Sequence, residues 1–570
     1  MEWIEARVLI RNLLNRVEVQ EDGHRVLKGV LTDAEWDALN FAASMLENSA
    51  IEADLSYQDV MEGVRTTKVL ERAEEDEASL EDAVPQIELD LTTLELEPPG
   101  VNARLCLDFG TAMSKATLVR DEDESETEEI HVLKLGIPAD QEEISEVMLI
   151  SSVYIDNEGT LWFGKQAIDR SMIEGEDGSR QRLDNIKRRL SEEGWEEQVG
   201  SIFNPTETPI TNGDMVLAYL MYLNWMVNHC LADLGFPKNL PRRFAMPCLG
   251  GEKGRETVHR LRRLLGEAQV LADTFADDIT AGIPLSRFAA AVEQLRKQSL
   301  DYDFITEDIT EPLGVAGSIM SWKAPVNMLL MVVDVGAGTS DFSLYRINYE
   351  PGKANTAVEV DGSSRAITEA GNHLDHLLVE FIIKKSGVTS DDPMWVNIRS
   401  ALQLQIRDLK ESLFNDQFLV VSLLNGVDVE IELQEFLELE AAQRFGKALK
   451  GTMIDILQSI DDSWINWVTA NPQRRLVVAL TGGGSELPMV RELAEGEIDI
   501  NGKRVPLAPA LPVPKWLSDL DENLDDDYHR IAVSLGGARR RLIQRGGAAR
   551  ITAGDVVEPA KLGGYYTKGV

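Results

Sequence analysis

From residue 103 onward, short continuous apolar runs alternate with amphipathic stretches at helical spacing, which predicts the strands and helices of an α/β domain. Leu105-Cys106-Leu107, Met331-Val332-Val333 and Leu476-Val477-Val478-Ala479-Leu480 are each of strand length, and each leads into a turn built on glycine. Upstream the pattern differs. Thr32-Asp33-Ala34-Glu35 has the form of a capping box ahead of Trp36, Leu39, Phe41, Met45 and Leu46, so residues 1–70 are expected to form a small helical region. Residues 71–97 hold eleven acids and one base, Arg72, and Pro98-Pro99-Gly100 closes them. Self-repulsion makes residues 71–102 an acidic linker, a solvated spacer on an extended path. A longer apolar run, 215–234, is interrupted by Asn224, Asn228 and His229. It reads as a buried helix, because a bilayer span needs about 20 predominantly apolar residues.

Two of the strand-turn units are spelled alike. Asp108-Phe109-Gly110-Thr111-Ala112-Met113-Ser114-Lys115 and Asp334-Val335-Gly336-Ala337-Gly338-Thr339-Ser340-Asp341 each follow an apolar strand and lead into another, 226 residues apart. Such self-similarity predicts two similar lobes, over about 103–328 and 329–545. Glycine lets the backbone reverse sharply and approach a ligand, and successive turn N–H groups form a concave nest suited to phosphate. Thr111 and Thr339 add hydroxyl donors. Asp108 and Asp334, at the ends of apolar strands, are costly to bury unless a cation balances them, which a hydrated Mg²⁺ between facing hairpins would do. A third turn, Gly482-Gly483-Gly484, lies between an apolar strand and a helical stretch, another place where a nucleotide can meet bare backbone.

The chain has 570 residues, 44% hydrophobic and 27% charged, enough for more than one lobe and a large core. With 56 Lys+Arg against 97 Asp+Glu, its net charge of −41 disfavours general nucleic-acid or membrane-surface binding. Cys106, Cys230 and Cys248 make no disulfide framework, and Met1 to Leu14 mixes charges into its apolar residues unlike a signal peptide, so a cytoplasmic setting is expected.

The three glycine turns resemble the two phosphate motifs and the adenosine motif of the actin, sugar-kinase and seventy-kilodalton heat-shock chaperone ATPase superfamily, with the chaperone nucleotide-binding domain the nearest match. Asn185-Ile186-Lys187-Arg188 resembles the segment carrying that family's catalytic lysine. Thr310-Glu311-Pro312-Leu313 resembles the one carrying its catalytic glutamate, 23 residues before Asp334. Arg407 to Leu413, Ala370-Gly371 and Ala532 to Ala538 resemble its nucleotide-contacting helix, the start of its upper second lobe and its last helix. Over residues 103–545 the resemblance implies a two-lobed actin-like ATPase fold made of duplicated ribonuclease H-like cores, with a polar tail over 546–570. It implies ATP or ADP with Mg²⁺ as ligands, Asp108 and Asp334 around the metal through water, and Lys187, Glu311, Asp341 and Thr339 in catalysis. Nucleotide contacts would come from Gly110, Thr111, Ala112, Gly336, Ala337, Gly338, Thr339, Gly371, Lys410, Gly482, Gly483 and Gly484.

Departures from the family matter too. Glu411 and Glu486 stand where the chaperones clamp adenine with basic side chains, Ala112 and Met113 replace larger or polar residues, and 265–308 reads as an insertion on the surface. Only 28 residues follow Leu542, too few for a peptide-binding domain. The expectation is therefore a slowly hydrolysing switch acting on a separate protein partner. The alternatives are an actin-like filament former, a small-molecule kinase or a scaffold without turnover. His373 and His376 are read as ordinary histidines, Cys106 as a buried hydrophobe, and the seven acids of 121–129 as a solvated loop tip. Arg539, Arg540, Arg541, Arg545 and Arg550 are expected to pair with Asp525-Asp526-Asp527 or a protein partner.

Overall fold

The computed structural model describes residues 87–122, 127–141, 145–190, 194–353 and 355–548, together with the strand pair Val17–Val19 and Arg25–Leu27. The chain divides into two compact units, Met1–Ala83 and Val84–Val570. In the first, Val17 pairs with Leu27 and Val19 with Arg25 in an antiparallel hairpin. Strand thus stands where a helical region was expected, since Val17-Glu18-Val19 alternates with period two. The helix expected around Trp36 to Leu46 lies outside the described residues.

The second unit holds two mixed sheets of matching strand order. In one, Ile305–Thr310, Arg242–Met246 and Ala103–Asp108 run parallel, and Met113–Asp121 and Glu128–Val132 continue as antiparallel neighbours. In the other, Lys503–Pro509, Leu476–Thr481 and Val326–Val335 run parallel, followed by antiparallel Ser340–Tyr349 and Thr356–Val360. The central strands are buried on both faces, which is why their spelling is continuously apolar rather than alternating.

Helix Asn212–Asp233 backs the first sheet. A reciprocal capping box opens it, Asp214 N–H donating to Thr211 Oγ1 at 3.2 Å and Thr211 N–H to Asp214 Oδ2 at 2.9 Å. Among the described residues it is the one helix long and apolar enough to cross a membrane, and 89% of its apolar window is buried inside the protein. Residues 265–308, read above as a surface insertion, belong to this same core. Leu265, Phe275, Ile283 and Phe288 are fully enclosed, so their apolar spacing, not their position between motifs, decides where they go.

Two short helices cross between the sheets. Glu311–Ile319 leaves the first sheet and packs on the hairpin of the second, while Tyr528–Ala538 packs on the hairpin of the first. Glycine makes the crossing close: a Cβ on Gly536 would lie 1.8 Å from the Gly314 carbonyl oxygen, and one on Gly314 2.5 Å from that of Val533.

Three expectations at the edges need correction. Ile87 is buried and Leu89, Leu91 and Leu94 pack on the first core, while Thr93 Oγ1 donates to Asp273 Oδ2 at 2.6 Å. The end of the acidic linker is therefore docked, its apolar residues outweighing its charge. Residues 546–548, expected to open a tail, belong to Gln544–Ala548, which adds a parallel strand beside Thr356–Val360. The terminal arginines pair with acids other than 525–527: Arg539 with Glu128 at 2.6 Å, Arg540 with Asp121 at 3.8 Å and Arg545 with Asp308 at 2.6 Å; Arg550 lies outside the described residues. Asp121 and Glu128 are thus anchors rather than parts of a solvated tip.

Candidate functional site

The two hairpin turns face each other. A Cβ on Gly338 would stand 2.7 Å from Thr111 Oγ1 and 3.2 Å from Arg188 Cγ, so the second turn meets the first and the segment before helix 212–233. Gly110 is required by its own turn, since a Cβ there would lie 1.9 Å from the Met113 carbonyl oxygen. Its N–H donates to Ser114 Oγ at 3.3 Å, and its carbonyl accepts from Ser151 Oγ at 2.9 Å. The second turn closes with Gly336 N–H donating to the Thr339 carbonyl at 2.9 Å. Ala112 and Ala337 occupy the bends of the two turns.

Six charged side chains converge behind the turns. Asp108, Glu311, Asp334, Asp341 and Lys187 are all buried, and Lys115 Nζ lies 3.4 Å from Asp108 Oδ2. Lys187, from the short 3-10 helix Ile186–Leu190, is ion-paired with Glu311 at the start of the crossing helix. Burial works against the Lys187 charge, yet Glu311, Asp108 and Asp341 hold its ammonium above the ordinary lysine range. Burial, with Glu311 and Asp108 nearby, pushes Asp334 up to about 7, and Thr481 Oγ1 donates to it at 3.2 Å. Asp341 is raised too, by burial and by Glu311, although Cys248 N–H donates to its Oδ1 at 2.5 Å and the Thr339 hydroxyl supports it. Its Oδ2 is buried with no hydrogen-bond partner.

Four carboxylates against two lysines leave a local negative excess in a desolvated place. Such a cluster suits a divalent cation held through its water shell, and among the described residues no group of three or more His, Cys, Asp or Glu is arranged to ligate a metal directly. His373 stacks against Phe445 with ring centroids 6.1 Å apart, an ordinary packing role. Cys106 is fully buried in the sheet.

No family model matches this chain, and no curated protein matches it.

The site's geometry divides the expected nucleotide contacts. The turns around Gly110, Thr111, Gly336, Gly338 and Thr339 lie together with Asp108, Asp334, Lys187, Glu311 and Asp341. Others are committed elsewhere. Gly371 N–H donates to the Gly336 carbonyl at 3.0 Å, buttressing the second turn from below. Lys410 Nζ pairs with Asp375 at 2.5 Å. Gly482 N–H donates to the His529 carbonyl at 2.7 Å and Gly484 N–H to that of Val335 at 2.9 Å, so the third loop spends these donors on the protein. Gly482 sits at φ 82°, and a Cβ there would come within 2.6 Å of Asp334 Oδ1. It is needed for closeness to the acid. Gly483 faces open space. Glu411 and Glu486 are both exposed, and Glu486 is paired with Arg491.

Residue-type reasoning missed Lys115, Cys248 and Asn185. Lys115 was available, because it occupies the place in the first hairpin that Asp341 holds in the second. Cys248 acts through its backbone N–H, which leaves no side-chain signature. Asn185, at φ 58°, accepts from Asn372 Nδ2 at 2.8 Å and also from Arg407, tying the lysine segment to the other lobe.

Proposed function

We propose that this chain binds ATP with Mg²⁺ between its lobes and hydrolyses it slowly, as a two-lobed actin-like switch that acts on a separate protein partner. The observation that supports this most is the convergence of buried Asp108, Glu311, Asp334, Asp341 and Lys187 with half-buried Lys115 behind two facing glycine turns. Phosphoryl transfer asks the protein for little covalent chemistry and much positioning and charge. Asp108 and Asp334 would hold the hydrated Mg²⁺, which when bound neutralises charge on the phosphate oxygens. The Thr111 and Thr339 hydroxyls would face the phosphates, together with turn amides other than those of Gly110 and Gly336, which bond Ser114 and the Thr339 carbonyl. Lys187 offers a fixed positive charge to the γ-phosphoryl group, and Glu311 with Asp341 orients the attacking water and takes its proton.

Slowness has a structural cause in this reading. Lys187 and Glu311 neutralise each other, so each must exchange part of its partner's charge for the phosphate and the water before it can act. The same pairing favours one alternative, a nucleotide-binding scaffold without turnover. Calorimetry with Mg·ATP, Mg·ADP and Mg·GTP, followed by single-turnover phosphate release, separates the two. Binding with release is expected; binding without release leaves the scaffold, and no binding of any of them at millimolar concentration defeats both.

A further inference from the structure

A trans peptide is planar, so a carbonyl that points into the protein sends the N–H of the same peptide the opposite way. The first glycine turn has this arrangement. Its Gly110 carbonyl accepts from Ser151 Oγ at 2.9 Å and its Ala112 carbonyl from Ser151 N–H at 2.9 Å, and Ser151 is fully buried. The Thr111 N–H shares a peptide with the Gly110 carbonyl and is thereby turned away from Ser151. Among the described residues nothing accepts from it, and Thr111 is half-buried.

Ser151 is held in turn by two further hydroxyls. Tyr219 Oη, from the helix Asn212–Asp233, lies 2.9 Å from Ser114 Oγ and 3.0 Å from Ser151 Oγ, and the two serine oxygens are 3.2 Å apart. All three residues are fully buried. Each hydroxyl has one proton to give. With that of Ser151 on the Gly110 carbonyl, that of Ser114 goes to Ser151 and that of Tyr219 to Ser114, which also accepts from Gly110 N–H at 3.3 Å. Every proton is then used, and the Leu149 carbonyl, 3.5 Å from Tyr219 Oη, is the more distant acceptor. The Tyr219 ring stacks on Phe109, the residue between Asp108 and Gly110, with centroids 5.5 Å apart. Burial pushes its phenol up, so it stays a neutral donor. In the second turn the equivalent carbonyl, of Gly336, accepts from a backbone donor, Gly371 N–H at 3.0 Å, and Ser340, the counterpart of Ser114, donates to the Glu369 carbonyl at 2.5 Å.

Resting on the ATPase reading above, we propose that Tyr219 is a positioning residue for that site: through Ser114 and Ser151 it holds the first turn so that the Thr111 amide is aimed at a phosphate oxygen of the nucleotide. Tyr219 touches neither nucleotide nor metal. Its effect falls on binding, because an aimed amide holds the phosphate in the ground state as well as in the transition state, and such uniform binding shows in KM rather than kcat.

The test compares wild-type protein with Tyr219→Phe and Ser151→Ala, and takes Tyr222→Phe as control. Tyr222 lies on the same helix, is buried and stacks on Phe163 with centroids 5.1 Å apart, and its hydroxyl is outside the array. Tyr219→Phe keeps the ring on Phe109 and removes one proton from the chain of donors. It is expected to raise KM for Mg·ATP about fivefold, the worth of one hydrogen bond, and to leave kcat within about twofold. Ser151→Ala strips the Gly110 carbonyl of its donor and should raise KM on the order of 10-fold. Independently of turnover, nucleotide-free protein labelled with ¹⁵N-glycine should show a Gly110 amide signal that shifts and exchanges faster in Tyr219→Phe and stays at its wild-type position in Tyr222→Phe. A wild-type KM or an unmoved Gly110 signal in Tyr219→Phe, or the same changes in Tyr222→Phe, overturns the positioning role alone. Wild-type protein that binds no Mg·ATP overturns it together with the ATPase reading.

Discussion

The two glycine-turn hairpins share a register and differ in charge. Across the first, Asp108 is the register partner of Lys115; across the second, Asp334 is the partner of Asp341. One hairpin carries its own counter-ion. The other sets acid against acid in a buried place, and both carboxyls respond by holding protons more tightly. The two hairpins match in register and differ in electrostatics. On the proposed ATPase reading the first turn would grip, the second would receive a cation and handle a proton, and Lys187 and Glu311 would reach it from the side of the first sheet.

The largest expected effect comes from breaking that reach. Lys187→Ala and Glu311→Ala should each lower single-turnover hydrolysis by on the order of 10²-fold or more while Mg·ADP binding survives within a few-fold. Both variants turning over at the wild-type rate would remove these residues from the mechanism.

Charge asymmetry itself can be tested through pH. A carboxyl whose folded pKa is raised to about 7 from the ordinary 3.8 favours the folded state below the unfolded pKa, and that advantage is lost as pH climbs between the two values. Without nucleotide, the protein should melt higher at pH 5 than at pH 8, by an amount worth a few kcal/mol at most. Asp334→Asn should flatten the difference and weaken Mg-dependent nucleotide binding, measured by scanning calorimetry and titration. By contrast, Lys115→Ala leaves Asp108 buried without its ion pair. That variant should make the first hairpin resemble the second, adding to the loss of stability between pH 5 and pH 8. An unchanged melting profile would show that the pair at 3.4 Å contributes nothing.

Much of this asymmetry was written in the chain. Asp, Gly and Thr at matching places in two strand-turn units are local features, and their spelling survives without any knowledge of the fold. Lys187 with Glu311 was reached only through resemblance, because a contact between residues 124 apart has no local trace. Glycine misled in a different way. The same letters at 371, 482 and 484 serve amides that bond the protein, and composition cannot tell an N–H aimed at a ligand from one aimed at a carbonyl. Charge misled at residues 87–97, where counting acids hid the apolar series Ile87, Leu89, Leu91 and Leu94. Family spacing misled at 265–308, where the apolar residues themselves were the better guide.

The smallest effect concerns how the lobes stay together over the hairpins. Residues 177–185 of the first lobe meet the helix Trp395–Asp416 of the second through neutral hydrogen bonds and two charged donors, Arg182 and Arg407. Asn397 Nδ2 donates to the Asp177 carbonyl at 2.7 Å, Gln181 Nε2 to Ser400 Oγ at 3.1 Å, and Arg182 to the Leu404 carbonyl at 3.2 Å. Gly178 permits the approach, since a Cβ there would lie 2.1 Å from the Asn397 carbonyl oxygen. Asn372 Nδ2, donating to Asn185 Oδ1 at 2.8 Å, ties this seam to the second turn. A neutral hydrogen bond is worth about 1 kcal/mol net, roughly a fivefold change in a rate it limits. Asn372→Ala should therefore speed release of a fluorescent ADP analogue by a few-fold, with little dependence on salt because no ion pair is lost. Gly178→Ala should do more, because it spreads the seam rather than removing one contact. Release rates equal to wild type in both variants would mean that the hairpins alone hold the nucleotide, and that the difference between the two turns is the whole of the gate.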